Sequence, residues 1–517
     1  MNSRFHPFVQ MLAVAAVAGV AAAASADTGG GAALVAAAKA RDRAAVQALL
    51  ERRADANAAQ ADGATALHWA AYWGDVELAT RLLRARANVN AANDLGVTPL
   101  FLASIHDDPA VALALLEAGA NPNVTHLHGV SPLMEAARTG RPRTIAALLE
   151  RGADVNAREA THDQTALMWA AAHRQPAAVR ALIAGGADLA LRSRVRERKA
   201  FVKASRGGSY DPGAFEKHVR EHDIVYVKEG GYTALLFAVQ QGDVESTSLL
   251  LAAGADVNDT APSGMSALVV AAYSNEASVG RLLLERGAAP NAADAGYSAL
   301  HAAILRRNVE LTTALTAHGA DVNQRITKPS GARRQSADYA FGDTLVGATP
   351  VYLAARFGEV RILRSLLEAH ADPSLSLPDG STPLLAAMET DRINSLGGEG
   401  LGEDRRDRNV FFRAYNTQTD DEVEKDALDL VTILTASRAD VNAADRAGNT
   451  VLHLAARAGM NRVIERLVDQ GAAVNAKNRR GQTPLQLAAA PRRNRGGDVF
   501  AGHTEAVELL RRLGATD

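Results

Sequence analysis

The sequence predicts an all-α chain, a solenoid of about twelve helix-turn-helix repeats interrupted by two long insertions. Three observations predict it. A Thr or Ser, then a small residue and Leu, then two small residues three positions on, recurs at Thr65, Thr98, Ser131, Thr165, Thr233, Ser266, Ser298, Thr349, Thr382, Thr450 and Thr483, mostly 32 to 34 residues apart. A run such as Gly-Ala-Asp-Val-Asn closes the units, as at 152–156, 254–258 and 319–323. The chain has 517 residues, too many for one compact core, and its 47% hydrophobic content includes only 4% aromatic residues, which suits many thin layers of small side chains.

Within a unit each element has a local cause. In the run 65–71, Thr65 caps a first helix whose apolar face is Leu67, Ala70 and Ala71. Gly74 and Asp75 break that helix and start a second, faced by Val76, Leu78, Leu82 and Leu83. Gly or a substitute ends the second helix before an Ala-Asn-Val-Asn type loop leads onward. Helices this short are marginal in water, so each unit must bury its faces on its neighbours, and paired alanines let the layers approach closely.

This pattern resembles the ankyrin-repeat family, whose unit reads Gly-x-Thr-Pro-Leu-His-x-Ala-Ala, a Gly turn, Leu-Leu and Gly-Ala-Asp-Val-Asn. The match is close over 94–123, 445–475 and 479–490, and Ala66, Ala166 and Ala267 replace the Pro after the Thr. The resemblance implies a curved stack of helix pairs with hairpin-like loops along one edge and a concave groove for partners. It also implies that His68, His301 and His453, in the Thr-x-Leu-His position, hydrogen-bond between neighbouring loops and repeats.

Residues 1–26 read as a signal peptide: Arg4 and His6 precede an apolar run from Phe8 to Ala24, and Ala24-Ser25-Ala26 is a small-residue cleavage site. A mature terminus at Asp27, rather than a retained anchor beginning at Met1, makes the protein periplasmic or secreted, and the leader with the Ala- and Arg-rich usage points to a bacterial source. Repeats 1–5 then occupy 27–191, a basic insertion 192–229, repeats 6–8 230–325, and a short insertion 326–346. Repeat 9 and the first helix of repeat 10 occupy 347–389, an insertion within repeat 10 occupies 390–424, and the rest of repeat 10, repeats 11–12 and a C-terminal cap occupy 425–517. In the second long insertion Phe411, Phe412 and Tyr415 are expected to pack the loop onto the stack. The terminal units are expected to be polar caps.

Net charge is −2, without the basic footprint of a nucleic-acid binder. Cysteine is absent, which excludes disulfides and thiolate chemistry. No phosphate-binding glycine loop, zinc-protease helix or nucleophile elbow occurs, and no cofactor is implied. The expectation is a non-enzymatic scaffold that binds a protein partner, without nucleic acid and without stable membrane insertion once the leader is removed. The alternative is a metal-binding protein or metal-dependent hydrolase. It would use His128 and His162, in equivalent loops 8–10 Å apart if neighbouring loops follow the usual helix-layer spacing, with His126 and Asp163 nearby, or His218 and His222 in the basic insertion.

The resemblance places the partner surface at the two positions after each Ala-Ala: Tyr72 and Trp73, Ile105 and His106, Arg138 and Thr139, His173, Gln240 and Gln241, Tyr273, Ile304 and Leu305, Arg356 and Phe357. Trp, Tyr and Arg are the side chains that dominate binding hot spots. Trp69 and Trp169, one turn earlier, are core or groove floor, and Val97, Val130, Tyr232, Met265 and Tyr297 extend the groove along its rim.

Overall fold

The computed structural model describes residues 30–201, 224–330, 341, 343–389, 420–493 and 499–516. The chain divides into two compact units, 1–161 and 162–517. The division falls inside the segment 27–191, which reads in sequence as one uninterrupted array.

The first unit holds four helix pairs: Gly31–Lys39 with Arg43–Glu51, Ala66–Trp73 with Val76–Arg84, Pro99–Ala103 with Ala110–Glu117, and Pro132–Thr139 with Pro142–Glu150. These are repeats 1–4. The second unit begins with Ala166–Ala172 and Pro176–Ala184, Ala234–Gln240 and Val244–Ala252, Ala267–Tyr273 and Ala277–Glu285, and Ala299–Leu305 and Val309–Ala317. It continues with Pro350–Arg356 and Val360–Glu368, Pro383–Ala386 and Asp420–Ala436, Val451–Ala458 and Asn461–Asp469, and Pro484–Ala489 and Thr504–Arg512, completing repeats 5–12.

The first helices start where the Thr or Ser stands. Thr98, Ser131, Thr165, Thr233, Ser266, Thr349, Thr382 and Thr483 each accept a hydrogen bond from the backbone three residues on, at 3.3–3.4 Å. Ala66, Ala166 and Ala267 begin helices as well as Pro does, because the cap rather than the fixed proline φ supplies the start. Between the paired helices one residue must turn left-handed. Gly74 does so at φ 66°, and a Cβ there would meet the His106 ring at 3.4 Å. Asp75 then caps the second helix through the Leu78 amide at 3.0 Å.

Each core layer is thin. Leu67, Ala70 and Ala71 are fully buried, as are Leu82 opposite them and the corresponding Leu235, Ala238 and Leu250 of repeat 6. No repeat owns a core independent of its neighbours, so the layers are tied by polar bonds between successive loops. In the first unit the Asn57 amide donates to the Arg86 carbonyl at 3.2 Å, and its oxygen accepts from the Asn88 backbone. Asn90 repeats this with Gly119 at 3.2 Å and Asn121 at 2.8 Å, and Asn123 with Gly152 at 2.9 Å and Asp154 at 2.8 Å. In the second unit Asn291, Asn442 and Asn475 do the same with Gly319 and Asp321, Gly471 and Ala473, and Gly514 and Thr516. These are the last residues of the Gly-Ala-Asp-Val-Asn runs.

The insertions depart from plain loops. Within 192–229, Val195–Phe201 and Ile224–Gly230 pair as an antiparallel ribbon. Its register sets Arg196 opposite Glu229 and Glu197 opposite Lys228, so opposite charges face each other across the strands. Alternating charge hid this strand pattern in the sequence. Arg192, assigned there to the insertion, is a fastener between repeats instead: its guanidinium donates to the Gly231 carbonyl at 3.0 Å and the Thr260 carbonyl at 3.2 Å and pairs with Asp259. The second insertion does lie between the helices of repeat 10, but the following helix begins at Asp420 rather than after 424, because 420–424 is acidic and suits a helix N-terminus. A further small ribbon, Arg492–Arg493 with Val499–Phe500, separates the two helices of repeat 12. The short insertion contributes Phe341, a fully buried side chain whose ring lies tilted against Tyr297 with centroids 4.9 Å apart. Residues 1–26, His218, His222, Phe411, Phe412 and Tyr415 lie outside the described residues.

Asn90→Ala removes one donor and one acceptor that join adjacent loops. It is expected to lower the stability of the first unit by about 1–2 kcal/mol, read from urea unfolding of the full chain. A change under about 0.5 kcal/mol would show that the ladder does not hold the repeats together.

Candidate functional site

The inner ends of the first helices carry the candidate surface. In repeat 2 the three aromatic residues of one helix form a cluster: Trp69 and Tyr72 ring centroids are 5.8 Å apart, Tyr72 and Trp73 4.8 Å, and Trp69 and Trp73 6.5 Å. Spacings of three, four and one along a helix bring them to one edge. Trp69 is half-buried, its indole donating to the Gln60 side chain at 3.3 Å, so it is groove floor. Trp73 is 37% exposed, and its indole donates to the Lys39 carbonyl at 3.3 Å, which fixes the ring on the preceding repeat. Trp73 is thus a large aromatic held in place yet partly open to solvent.

The other predicted residues divide. His106 is half-buried, with its Nε2 2.9 Å from the Ala71 carbonyl, so its ring closes the end of the neighbouring helix. Ile105 beside it is half-buried, and its carbonyl accepts from Arg141 at 2.7 Å. Arg138 spends its guanidinium on Glu135, with Nε at 3.0 Å; Glu135 is buried at the place Trp69 holds in repeat 2. That carboxylate raises the Arg138 pKa above its ordinary value. Thr139 donates back to the Glu135 carbonyl at 2.8 Å.

In the second unit His173 and Gln240 are exposed, and Gln241, Tyr273, Arg356 and Phe357 are half-buried. The His173 ring lies 2.8 Å from the Trp169 carbonyl through Nδ1. Leu305 is a correction: it is 8% exposed, and Ile304 is fully buried. Register accounts for Ile304: in repeat 8 the alanines follow His301 directly, whereas in repeat 2 Trp69 intervenes, so counting from Ala-Ala displaces the surface by one residue, and Leu305 stands where Tyr72 does and Arg306 where Trp73 does. The rim is corrected likewise: Val97, Val130 and Tyr297 are buried, and Tyr232 and Met265 are half-buried. Burial drives the Tyr297 hydroxyl pKa up.

The histidines of the Thr-x-Leu-His position are latches. His68 Nδ1 accepts from the Thr65 amide at 3.1 Å, which leaves the proton on Nε2, and that nitrogen donates to the Val97 carbonyl of the next repeat at 3.0 Å. His301 repeats this with Ser298 and Gln324, and His453 with Thr450 and Gln482, each at 3.1 and 3.0 Å. Burial lowers the pKa of all three, that of His301 to about 4. Gln486 occupies the same position in repeat 12 and accepts from Thr483 at 3.1 Å.

The loop histidines serve the loops. His126 Nδ1 accepts from the His128 amide at 3.1 Å, the bond that Asn93 makes to Leu95 one repeat earlier. Asp163 is taken by Arg194 at 2.8 and 3.0 Å. His128 belongs to the first unit and His162 to the second. Among the described residues no three of His, Asp and Glu gather as a metal site would require, and no helix is long and apolar enough to cross a membrane.

Comparison with known proteins agrees with this geometry. The chain matches a profile described as ankyrin repeats (3 copies) at 34–126, 119–193 and 235–326, and one described as ankyrin repeats (many copies) at 434–488. It is 30% identical to a mitochondrial disaggregase of Bos taurus over 163 residues, 32% of this chain and 22% of that protein. It is 29% identical to the palmitoyltransferase AKR1 of Lachancea kluyveri over 30% of this chain and 21% of that protein. With the ankyrin repeat and KH domain-containing protein mask-1 of Caenorhabditis elegans it shares 31% identity over 45% of this chain and 8% of that protein. The chain thus spans about a fifth or less of the length of these curated relatives.

His301 sets an acid limit. Its folded pKa of about 4 lies below the ordinary 6.5, so the folded state binds fewer protons than the unfolded one. Stability from this residue is fully present above pH 6.5 and is lost as pH falls towards 4, by about 3 kcal/mol in all. His301→Gln keeps the cap, as Gln486 does, and is expected to flatten stability against pH between 6.5 and 4 in urea titrations. An unchanged slope would exclude His301 as its source.

Proposed function

The chain belongs to the ankyrin-repeat family, and from that premise we propose that it binds a protein partner on the inner, concave face of its repeats with Tyr72 and Trp73 as anchor. The fold is that of a protein–protein interaction module. The observation that carries the finer reading is the exposed Trp73, locked by Tyr72 and the Lys39 carbonyl, since a preset aromatic loses little conformational entropy on binding. Ile105, His106 and Arg138 continue this face in the first unit; His173, Gln240, Tyr273, Arg356 and Phe357 supply the corresponding positions in the second. The partner's identity is a property of these side chains and not of the fold.

Capture from cell extracts with the full chain and with Trp73→Ala, matched by circular dichroism, tests the reading. Loss of a captured protein, with affinity reduced about 30-fold or more, is expected for an aromatic hot spot. Equal capture by both chains overturns the anchor.

We also propose that the protein is exported after removal of 1–26. The support is the charged start, the apolar run from Phe8 to Ala24 and the Ala24-Ser25-Ala26 site. Mass spectrometry of the protein recovered from a bacterial envelope fraction is expected to give Asp27 as first residue, and recovery only with Met1, inside the cell, overturns export.

A further inference from the structure

The same anchor carries two cations that make no ion pair among the described residues, Arg41 acting on Asp75 through its charge without contact. Lys39 Nζ lies 5.0 Å from the centroid of the Trp69 ring, and the Arg41 guanidinium 5.4 Å from that of Trp73, over rings 6.5 Å apart. Among the described residues no carboxylate pairs with either, while the acids of the same turns are engaged. Asp42 caps its helix through the Ala45 amide at 2.9 Å, and Asp75 accepts from Arg43 at 2.8 Å.

Repeat 8 shows what an arginine at this turn does when a carboxylate is offered. Arg41 and Arg307 both occupy the left-handed turn position, at φ 58° and 57°, where repeats 2, 4, 6, 9 and 11 use glycine. Arg307 pairs at 2.8 Å with Glu359, the residue preceding the second helix of the next repeat. For Arg41 the equivalent residue is Asp75, already held by Arg43, so Arg41 lies over Trp73 instead. Arg41 thus has no ion-pair partner of its own at this turn. A guanidinium stacked on an indole keeps its edge N–H groups free for a carboxylate, and stacking restricts it beforehand.

We infer that the inner face of repeats 1 and 2 is a subsite for an acidic peptide segment: a carboxylate seats on Lys39 and Arg41, and a neighbouring apolar side chain lies on the exposed edge of Trp73. This deepens the interaction reading and rests on it. Charge complementarity selects the occupant, because the unpaired charge at this aromatic edge is positive.

The test uses the full chain labelled with 15N-tryptophan, whose indole signals report Trp69, Trp73 and, as internal control, Trp169 in the other unit. The probes are a fluorescein-labelled peptide alternating Glu and Leu, and its Gln-for-Glu counterpart. The acidic peptide is expected to shift the Trp69 and Trp73 signals but not Trp169, and to bind about tenfold or more tightly than the amide peptide, less so at high salt. Lys39→Gln with Arg41→Gln, matched to the full chain by circular dichroism, is expected to erase that preference. Equal binding of the two peptides, a preference that survives in the double variant, or unmoved Trp69 and Trp73 signals overturns the inference. If Trp73→Ala loses the captured protein while the double variant retains it, the anchor stands and the acidic subsite falls. If neither variant loses it, both readings fall.

Discussion

The structure depends on bonds between repeats, because no repeat can hold itself. A pair of helices mostly four to nine residues long buries only a thin layer, and its stability comes from the layer beside it. Two side chains make the stacking directional. The loop asparagine donates to a carbonyl of the next turn and accepts from its amide, and the buried histidine reads the next loop through one nitrogen while capping its own helix with the other. Both use fixed partners on the backbone, so they work whatever side chains surround them. That is why a motif of so few residues specifies a long array.

The same arrangement leaves other positions open to change. The end of the first helix takes part in neither ladder nor latch as a rule, and there the chain places Trp73, Thr139, His173 and Phe357 in turn. Where a latch is missing, another residue substitutes. Repeat 5 ends in Ala190 rather than Asn, and Arg192 ties the following segment to Gly231, Thr260 and Asp259. Repeat 4 sets Glu135 where repeat 2 has Trp69, and the burial of that charge requires Arg138. Arg138 thus reaches the inner face with its guanidinium already fixed by Glu135.

How much was legible follows from distance along the chain. The repeat, its caps and its loop asparagines are local patterns, and local patterns recur visibly. The β-ribbon of the first insertion was not legible, because Arg196, Glu197, Lys228 and Glu229 read as a solvated charge run until the register pairs them. Phe341 stands in a short, polar insertion with no periodicity to mark it, and only packing against Tyr297 makes it core. Ile304 was placed on the surface by counting from Ala-Ala, a marker that slides by one residue when the position after the histidine is itself alanine.

The sequence by itself determined the repeat unit, the approximate number of units and where the first helix of most units begins, since these rest on capping, turn residues and periodicity within about thirty residues. It also determined that His68, His301 and His453 are equivalent. Tertiary structure alone decided which equivalent side chains are free. Tyr72 is half-buried while Leu305 at the same position is withdrawn, and Arg307 finds Glu359 while Arg41 finds an indole. The physical reason is that exposure and charge pairing depend on what the adjoining repeat presents, a quantity that no single repeat contains.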